Sequence, residues 1–353
     1  MSYILKNILL TGHSGFKGSW LTAVLAGMEA KITGLSLESE SSEALISLIR
    51  DNKLLDREIF GDIRDAGVCR LAIAETKPEV VFHLAAQPLV RRSYRDPLET
   101  WTTNVIGTAN VLEACRQCQS VKAIVVVTTD KCYANKEWVH PYRESDRLGG
   151  HDPYSASKAG AELVAASYRD SYFREAGIQV ATARAGNVIG GGDLAEDRLL
   201  PDAVRAFVRN TPLVLRNPQA TRPWQHVLEP LSGYIALAER LLSTPAGGFD
   251  AGWNFGPNAD GNASVGEVAE KFGHLWGDGQ VECFENPHGP HEAGLLQLDN
   301  SMAKARLDWS PRWTLDEALR HTAEWYRAWY EKGDVYGLMQ RQIERYHQQL
   351  PTK

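Results

Sequence analysis

A glycine-rich turn between an apolar strand and a helix constrains the fold of this chain more than any other feature. Residues 7–11 predict a short strand, and the turn that follows has the sequence Gly12-His13-Ser14-Gly15-Phe16-Lys17-Gly18. A helix is expected from Ser19 onward. The glycines let the backbone turn tightly and approach a pyrophosphate, to which the helix amino terminus offers N–H groups. The pattern favours a dinucleotide site over a plain tight turn, although its spacing is GxxGxxG rather than GxGxxG.

Strands and helices alternate along the first half of the chain. Short apolar runs predict strands, and longer stretches with helical periodicity predict helices. The predicted strands lie at residues 31–37, 58–63, 79–84, 123–127 and 178–183, and long helices are expected at 98–118 and 153–176. Such alternation is typical of a parallel, doubly wound α/β sheet, so we predict a Rossmann domain over residues 1–185.

The pattern loosens in the second half of the chain. A glycine-rich segment at 185–193 is expected to form a loop, in which Asn187 either contacts a ligand or is only a turn residue with positive φ. Helices and short strands follow, and they predict a smaller mixed α/β substrate-binding domain over residues 186–353, with some segments returning to the Rossmann sheet. Guanidinium groups suit diphosphate oxygens, although each arginine could equally be a surface residue. The candidates are Arg205, Arg216 and Arg222.

Composition narrows the classes of partner. The 353-residue chain has a formal net charge of -6, which gives no reason to expect nucleic acid or an anionic membrane as a partner. Its apolar runs are too short to span a bilayer and the amino terminus lacks a signal-peptide pattern, so a cytoplasmic location is expected. Cys115 and Cys118 form a lone CxxC without the further ligands that zinc needs, so no metal site is predicted.

A cluster of polar residues follows the predicted strand at 123–127. Residues 128–133 have the sequence Thr-Thr-Asp-Lys-Cys-Tyr, and open α/β sheets bind their ligands at such strand ends. Tyr154 and Lys158 are four residues apart and share one face of a predicted helix. A phenol, an ammonium, a carboxylate and hydroxyls are therefore expected to converge. The alternative is a polar strand end in which Asp130 only caps a turn.

Other strand ends bear on the cofactor. Ser36 stands where NAD-binding domains normally carry the acidic residue that holds the adenosine ribose. Because no arginine stands there to favour a 2′-phosphate, NAD is expected rather than NADP. Asp62 and Ile63 are placed to meet the adenine edge, although Asp62 could equally cap the next helix. The small residues Ala85 and Ala86 would let a cofactor lie against the backbone.

Four motifs occur in order along the chain. They are the strand, GxxGxxG turn and helix; Thr128-Thr129-Asp130; Tyr154-x-x-x-Lys158; and Arg184-x-x-Asn187. Together they resemble the extended short-chain dehydrogenase/reductase family. Within that family, Thr129-Asp130-Lys131 occupies the place where nucleotide-sugar 4,6-dehydratases carry Thr-Asp-Glu. The turn and the runs at 85–91 and 190–193 are most similar to the members that act on CDP-glucose, whose triplet also ends in lysine.

The resemblance implies a recycled NAD and a set of catalytic roles. Such an enzyme oxidises the sugar at C4, eliminates water across C5 and C6, and returns the hydride to C6. Tyr154 would be the base at the 4-hydroxyl, with its pKa lowered by Lys158 and the cofactor, and Thr129 would orient that hydroxyl. Asp130 would protonate the C6 hydroxyl, which requires a raised pKa. Lys131 would either be a neutral base or stay charged and stabilise the enolate.

The expected site combines these motifs with the resemblance. The cofactor-binding residues are Gly12, Ser14, Gly15, Phe16, Lys17, Gly18, Ser36, Asp62, Ile63, Leu84, Ala85, Ala86, Gln87, Asn104, Thr128, Tyr154 and Lys158. The substrate-binding residues are Gln87, Thr129, Asn187, Leu200, Arg205, Arg222 and His291. The expected partner is a small-molecule nucleotide sugar. A homodimer is expected, with a tetramer as the alternative, because the helices bearing Asn104 and Tyr154 resemble those of the family's four-helix contact.

Several functions stay open on the sequence alone. Dehydratases of dTDP- or GDP-sugars and nucleotide-sugar epimerases belong to the same family. An epimerase needs only the Tyr/Lys pair and a hydroxyl, so Asp130 beside Lys131 favours dehydration. A non-catalytic dinucleotide-binding regulator would typically lose the tyrosine or the lysine, and a plain alcohol dehydrogenase would consume NAD.

Overall fold

The computed structural model describes residues 7–38, 45–245, 247–277, 279–283 and 293–350. Its strands are β1 (Asn7–Thr11), β2 (Lys31–Ser36), β3 (Arg57–Phe60), β4 (Val80–His83), β5 (Ala123–Val127), β6 (Gln179–Ala185), β7 (Asn187–Ile189), β8 (Leu213–Leu215), β9 (Thr221–His226), β10 (Gly252–Phe255), β11 (Asn262–Ser264) and β12 (Val281–Cys283). Its helices are α1 (Phe16–Gly27), α2 (Leu45–Asp51), α3 (Ala66–Thr76), α4 (Val90–Arg95), α5 (Pro97–Trp101), α6 (Gly107–Arg116), α7 (Pro153–Tyr168), α8 (Arg174–Ala176), α9 (Leu199–Val208), α10 (Leu228–Ser243), α11 (Val265–Trp276), α12 (Ser301–Leu307), α13 (Leu315–Tyr330) and α14 (Val335–Gln348).

A seven-stranded parallel sheet forms the centre of the fold, with strand order β10-β6-β5-β4-β1-β2-β3. Successive side chains of a strand point to opposite faces, so Ile8 and Leu10 of β1 pack into one core and Leu9 into the other. Helices cover both faces, which is why the strands are almost wholly apolar. The predicted doubly wound α/β fold is confirmed, and β10 adds a strand from the second half of the chain.

Two segments differ from the expected secondary structure. The long helix expected at 98–118 is divided into α5, a π-helical turn at Thr102–Ile106 and α6. The segment at 185–193 is not a continuous loop, because β7 pairs in parallel with β9. Asn187 lies within β7 and is not among the described residues with positive φ, so its interpretation as a turn residue is wrong.

The glycines after β7 allow close packing under a C-terminal helix. A Cβ atom on Gly191 would lie 1.9 Å from Cγ of Trp325, and Gly192 has φ +81°. The Trp20 indole also donates to the Gly191 carbonyl oxygen, at 2.9 Å. The last helix packs on the core, because Met339 and Tyr346 of α14 are buried there. None of the helices in the described ranges has both the length and the apolar character of a membrane span.

Candidate active site

A cleft of about 1380 Å³ opens at the carboxyl edge of the sheet, between the Rossmann strands and segments of the second half. Single-ligand pockets commonly measure about 300–1,000 Å³, so this cleft has room for more than one small molecule. Most of the predicted site residues line it. They are Gly12, Ser14, Gly15, Phe16, Lys17, Gly18, Ser36, Asp62, Ile63, Leu84, Ala85, Ala86, Gln87, Thr128, Thr129, Asp130, Lys131, Tyr154, Lys158, Asn187, Leu200 and Arg222.

The glycine turn fits a dinucleotide diphosphate. Gly12 has φ +76°, and a Cβ atom there would lie 2.7 Å from the Ala85 nitrogen, so a side chain would collide with the next strand end. Helix α1 begins at Phe16, and no described side chain caps it at Gly15. The first N–H groups of a helix have no partner within the helix. At the start of α1 they lie beside the cleft, where they can donate to an anion. These residues fit NAD.

Gly18 and Gly15 respond differently to an added methyl group. A Cβ atom on Gly18 would lie 2.1 Å from the Gly12 carbonyl oxygen, whereas the nearest atom for Gly15 is at 3.4 Å. Gly18→Ala should therefore lower the free energy of unfolding by about 1–3 kcal/mol, the range for overpacking. Thermal denaturation measures this effect, with Gly15→Ala as the matched control. Equal stability of the two variants would contradict the close approach.

The structure excludes one of the two interpretations of Asp62. The cap of α3 is Asp65, whose carboxylate accepts from the Gly67 N–H at 2.7 Å. Asp62 does not cap that helix, and its carboxylate accepts from the Arg64 N–H at 2.8 Å and from Nε at 2.7 Å beside the cleft. Ser36 also lines the cleft, and its hydroxyl donates to the Leu37 carbonyl oxygen at 2.9 Å.

Asn104 is placed behind the cleft and does not line it. Its side chain accepts from the Gln87 N–H at 2.8 Å, and donates to the Gln87 carbonyl at 3.1 Å and to the Ser157 hydroxyl at 2.9 Å. These contacts join the end of β4 to the helix that bears Tyr154 and Lys158. Asn104 therefore holds Gln87 in place against α7, and its contact with the cofactor stays a prediction.

The polar end of β5 brings a carboxyl and a hydroxyl together. The Thr129 hydroxyl donates to Oδ1 of Asp130 at 2.9 Å, while Oδ2 of Asp130 has no hydrogen-bond partner among the described residues. Burial raises the pKa of the Asp130 carboxyl, against the opposing effects of Lys131 and the Thr129 hydrogen bond. A carboxyl with a raised pKa in the lining of a cleft can act as a proton donor.

Tyr154 and Lys158 lie beside this strand end on α7. Burial raises the pKa of the Tyr154 phenol to about 12, and a hydrogen bond with Thr129 opposes the rise. Burial lowers the pKa of the Lys158 ammonium to about 8. Nζ of Lys158 donates to the Val127 carbonyl oxygen at 3.1 Å, which fixes the ammonium at the last residue of β5. The predicted convergence of phenol, ammonium, carboxyl and hydroxyls is present.

The three arginines predicted to bind substrate differ in whether they line the cleft and in what they contact. Arg222 of β9 lines the cleft, and its charge opposes the rise in the pKa of the buried Asp130 carboxyl. Arg216 also lines the cleft and pairs with Asp197 at 3.1 Å. Arg205 does not line it, and its guanidinium donates to the Asp202 carboxylate and to two backbone carbonyl oxygens of the loop before α9. His291 lies outside the described residues.

Arg198 is a cleft residue that sequence reasoning missed. Its Nη1 donates to Oδ2 of Asp193 at 2.8 Å, and its charge opposes the burial that raises the pKa of Tyr154. Desolvation and the nearby charge of Arg198 also lower the pKa of Lys17 to about 7. The sequence carried no signal for this group, because the turn after Gly192 alone brings Arg198 back to the cleft.

Comparisons with known proteins agree with this geometry. The sequence model of the family described as GDP-mannose 4,6 dehydratase matches residues 9–322. A CDP-glucose 4,6-dehydratase from Salmonella typhimurium is 48% identical over 97% of this chain and 96% of its own length. A UDP-glucose 4-epimerase from Mycolicibacterium smegmatis is 30% identical over 90% of this chain and 98% of its own length.

The fold has solved counterparts. A dTDP-glucose 4,6-dehydratase from Streptomyces venezuelae, whose structure contains NAD, superimposes with a TM-score of 0.80 and 25% identity, covering 93% of this chain and 98% of the other. The cofactor site of this chain is thus that of an NAD-dependent fold. The chain belongs to the GDP-mannose 4,6 dehydratase family, within the extended short-chain dehydrogenases/reductases.

Proposed function

We propose that this chain is a 4,6-dehydratase that converts CDP-D-glucose to CDP-4-keto-6-deoxy-D-glucose. The observation that carries the proposal is the 48% identity to a CDP-glucose 4,6-dehydratase along almost the whole chain. The polar end of β5 supports it, because Asp130 provides an acid that epimerisation at C4 does not need. Asn187 and Arg222 are the residues that would hold the substrate diphosphate.

Oxidation at C4 requires a base at the 4-hydroxyl. NAD, when bound, supplies an acceptor for the C4 hydride and a donor of that hydride to C6. Tyr154 would remove the hydroxyl proton, and Thr129 would hold the hydroxyl by a hydrogen bond. The pKa of a phenol buried at this site is about 12, so the phenolate depends on positive charge nearby. Arg198 provides such a charge from the chain itself, and Lys158, one turn further along α7, would add to it.

Elimination requires a base at C5 and an acid at the C6 hydroxyl. The C5 hydrogen becomes acidic once C4 is a ketone, because the anion formed is an enolate. Asp130 would donate its proton to the leaving hydroxyl, and burial keeps that proton at a higher pH than usual. The elimination rate should therefore fall as pH rises through the pKa of Asp130.

Lys131 would act on the elimination step as a charged group. Its charge opposes the rise in the pKa of the adjacent Asp130, and an ammonium beside a carboxyl normally stays protonated. In that state it stabilises the enolate, and a water takes the C5 proton while Asp130 stays protonated as the acid. A neutral Lys131 acting directly as the base is the alternative.

The substrate assignment has a direct test. The purified protein is incubated with CDP-, dTDP- and GDP-glucose, with and without added NAD, and the products are analysed by mass spectrometry. We expect loss of one water from CDP-glucose at the highest kcat/KM. The relative at 30% identity makes an epimerase the second candidate, and an isomer of unchanged mass would support it.

A homodimer formed through the helices around α7 extends the proposal. Large apolar side chains are exposed on α5, the following π-helical turn, α7 and the chain just after it. They are Leu98, Trp101, Ile106, Leu163 and Tyr172. Exposed apolar groups on neighbouring helices are typical of subunit contacts. The alternative of a tetramer would need a second contact.

Leu163→Arg should convert the dimer to a monomer. Leu163 is 62% exposed on α7, and a guanidinium there would be buried without a partner in a helix-to-helix contact. Sedimentation velocity measures the change. Leu71→Arg on α3 is the matched control, since Leu71 is 58% exposed on a helix outside the group. A dimer that survives Leu163→Arg would place the contact elsewhere.

A further inference from the structure

Glu162 is a buried acid that the mechanism above does not use. It lies on α7 one turn beyond Lys158, and its carboxylate accepts from two side chains of β6 and from the residue that follows β5. Arg184 of β6 donates from Nε at 2.9 Å and from Nη2 at 2.7 Å, and the Thr182 hydroxyl donates at 2.6 Å. The Thr128 hydroxyl, directly after β5, donates to Oε1. Every one of these groups is buried.

Arg184 links Glu162 to Tyr133, the last residue of the polar segment that follows β5. Its Nη1 donates to the Tyr133 hydroxyl at 2.8 Å, and that hydroxyl donates to Oδ1 of Asn254 in β10 at 2.7 Å. Tyr133 follows the Thr129 to Lys131 triplet by two residues. The Glu162–Arg184 pair therefore holds both ends of the polar segment, Thr128 at its start and Tyr133 at its end.

We propose that Glu162 is a positioning residue of the active site, which fixes the polar end of β5 against α7 and places a negative charge one helical turn from Lys158. The proposal deepens the proposed function, since the steps it supports are those of the dehydration. A buried ion pair of this kind stabilises a fold weakly, because desolvation offsets the attraction. Its directional hydrogen bonds to Thr128 and Arg184 instead specify one arrangement of the groups around Lys158.

The charges around Lys158 fix the sign of the expected effect. Burial lowers the pKa of the ammonium, and Glu162 and then Cys132 oppose that effect. His83 from β4 and Lys17 from α1 also face it, and the Lys158 charge lowers the pKa of each. Tyr154 lies one turn earlier on the same helix. Loss of the Glu162 carboxylate removes an attraction for the Lys158 proton, so the pKa of Lys158 falls further.

The test measures that pKa directly. Lysine labelled with ¹³C at Cε is incorporated into the full chain, and the Lys158 signal is assigned with Lys158→Met. We expect Glu162→Gln to lower the pKa of Lys158 by about one unit. Glu113→Gln is the matched control, because Glu113 pairs with Arg116 on the exposed side of α6 and should leave the Lys158 titration unchanged.

A second variant keeps the test possible if Glu162→Gln does not fold. Glu162→Gln leaves Arg184 buried without its counter-charge, whereas Glu162→Gln/Arg184→Met removes both charges. The double variant should also titrate Lys158 below the parent value. An unchanged pKa of Lys158 in whichever variant folds would overturn the proposal.

Turnover gives the second measurement. With Lys158 less often protonated, the phenolate of Tyr154 is less supported, so the rising limb of kcat against pH should move to higher pH by about the same one unit. A limb that stays in place while kcat falls would mean a purely structural role. Absence of CDP-glucose turnover by the parent protein would instead reject the proposed function, and the NMR titration would still decide the role of Glu162.

Discussion

Tyr154→Phe is expected to lower kcat by about 10³-fold with CDP-glucose. The slowed step is the first one, in which hydrogen leaves C4. The phenol is the only group on α7 that the geometry offers as a base beside Thr129, and loss of a general base typically costs about 10²–10⁴-fold. Because oxidation precedes elimination, exchange of the C5 hydrogen with D₂O should be lost as well. Stopped-flow absorbance of the reduced cofactor and NMR of the exchange measure the two effects.

Tyr168→Phe is the matched control for this variant. Tyr168 lies on the same helix and is not among the cleft-lining residues described, so its loss should leave kcat within about twofold. If Tyr154→Phe retained C5 exchange at the parent rate, a different group would be the base at the 4-hydroxyl.

Asp130→Asn is expected to separate oxidation from elimination. The amide keeps an oxygen for the Thr129 hydrogen bond but has no acidic proton for the C6 hydroxyl. Product formation should fall by about 10²–10⁴-fold, while oxidation at C4 and exchange at C5 continue. Reduced cofactor should then accumulate in a single turnover, and rapid quench with mass spectrometry should find the 4-keto sugar that still carries its C6 hydroxyl.

Two further variants limit the interpretation. Asp146→Asn removes a carboxylate from a loop outside the described cleft lining and should leave the product rate unchanged. Lys131→Ala should slow C5 exchange more than C4 oxidation if its ammonium stabilises the enolate. Equal loss of oxidation and exchange in Lys131→Ala would place that lysine in the first step instead.

The fold was predictable because its signals are local. Apolar runs bounded by polar residues predicted the strands of the sheet, and the glycines at 12, 15 and 18 predicted the turn that leads into α1. The π-helical turn at Thr102–Ile106 was not predictable, because residues that form a single π-helical turn are equally compatible with an ordinary α-helix. The pairing of β7 with β9 was missed for another reason, since it depends on contacts between distant segments.

The site was predictable where sequence neighbours share one element. Tyr154 and Lys158 on α7, and Thr129 and Asp130 at the end of β5, came from spacing and strand position alone. Arg198, Glu162 and the inward direction of Asn104 depend on tertiary packing, so spacing carried no information on them. Arg205 was predicted from its charge, and charge does not reveal which of several acids a guanidinium will contact.

An isotope tracer tests the central claim most directly. CDP-glucose with deuterium at C4 is converted by the protein in ordinary water, and the product is analysed by mass spectrometry and NMR. The account predicts loss of one water, deuterium recovered at C6 of a 4-keto-6-deoxy sugar, and no net reduction of NAD. An epimer of unchanged mass, or deuterium left in stoichiometric reduced cofactor, would contradict it.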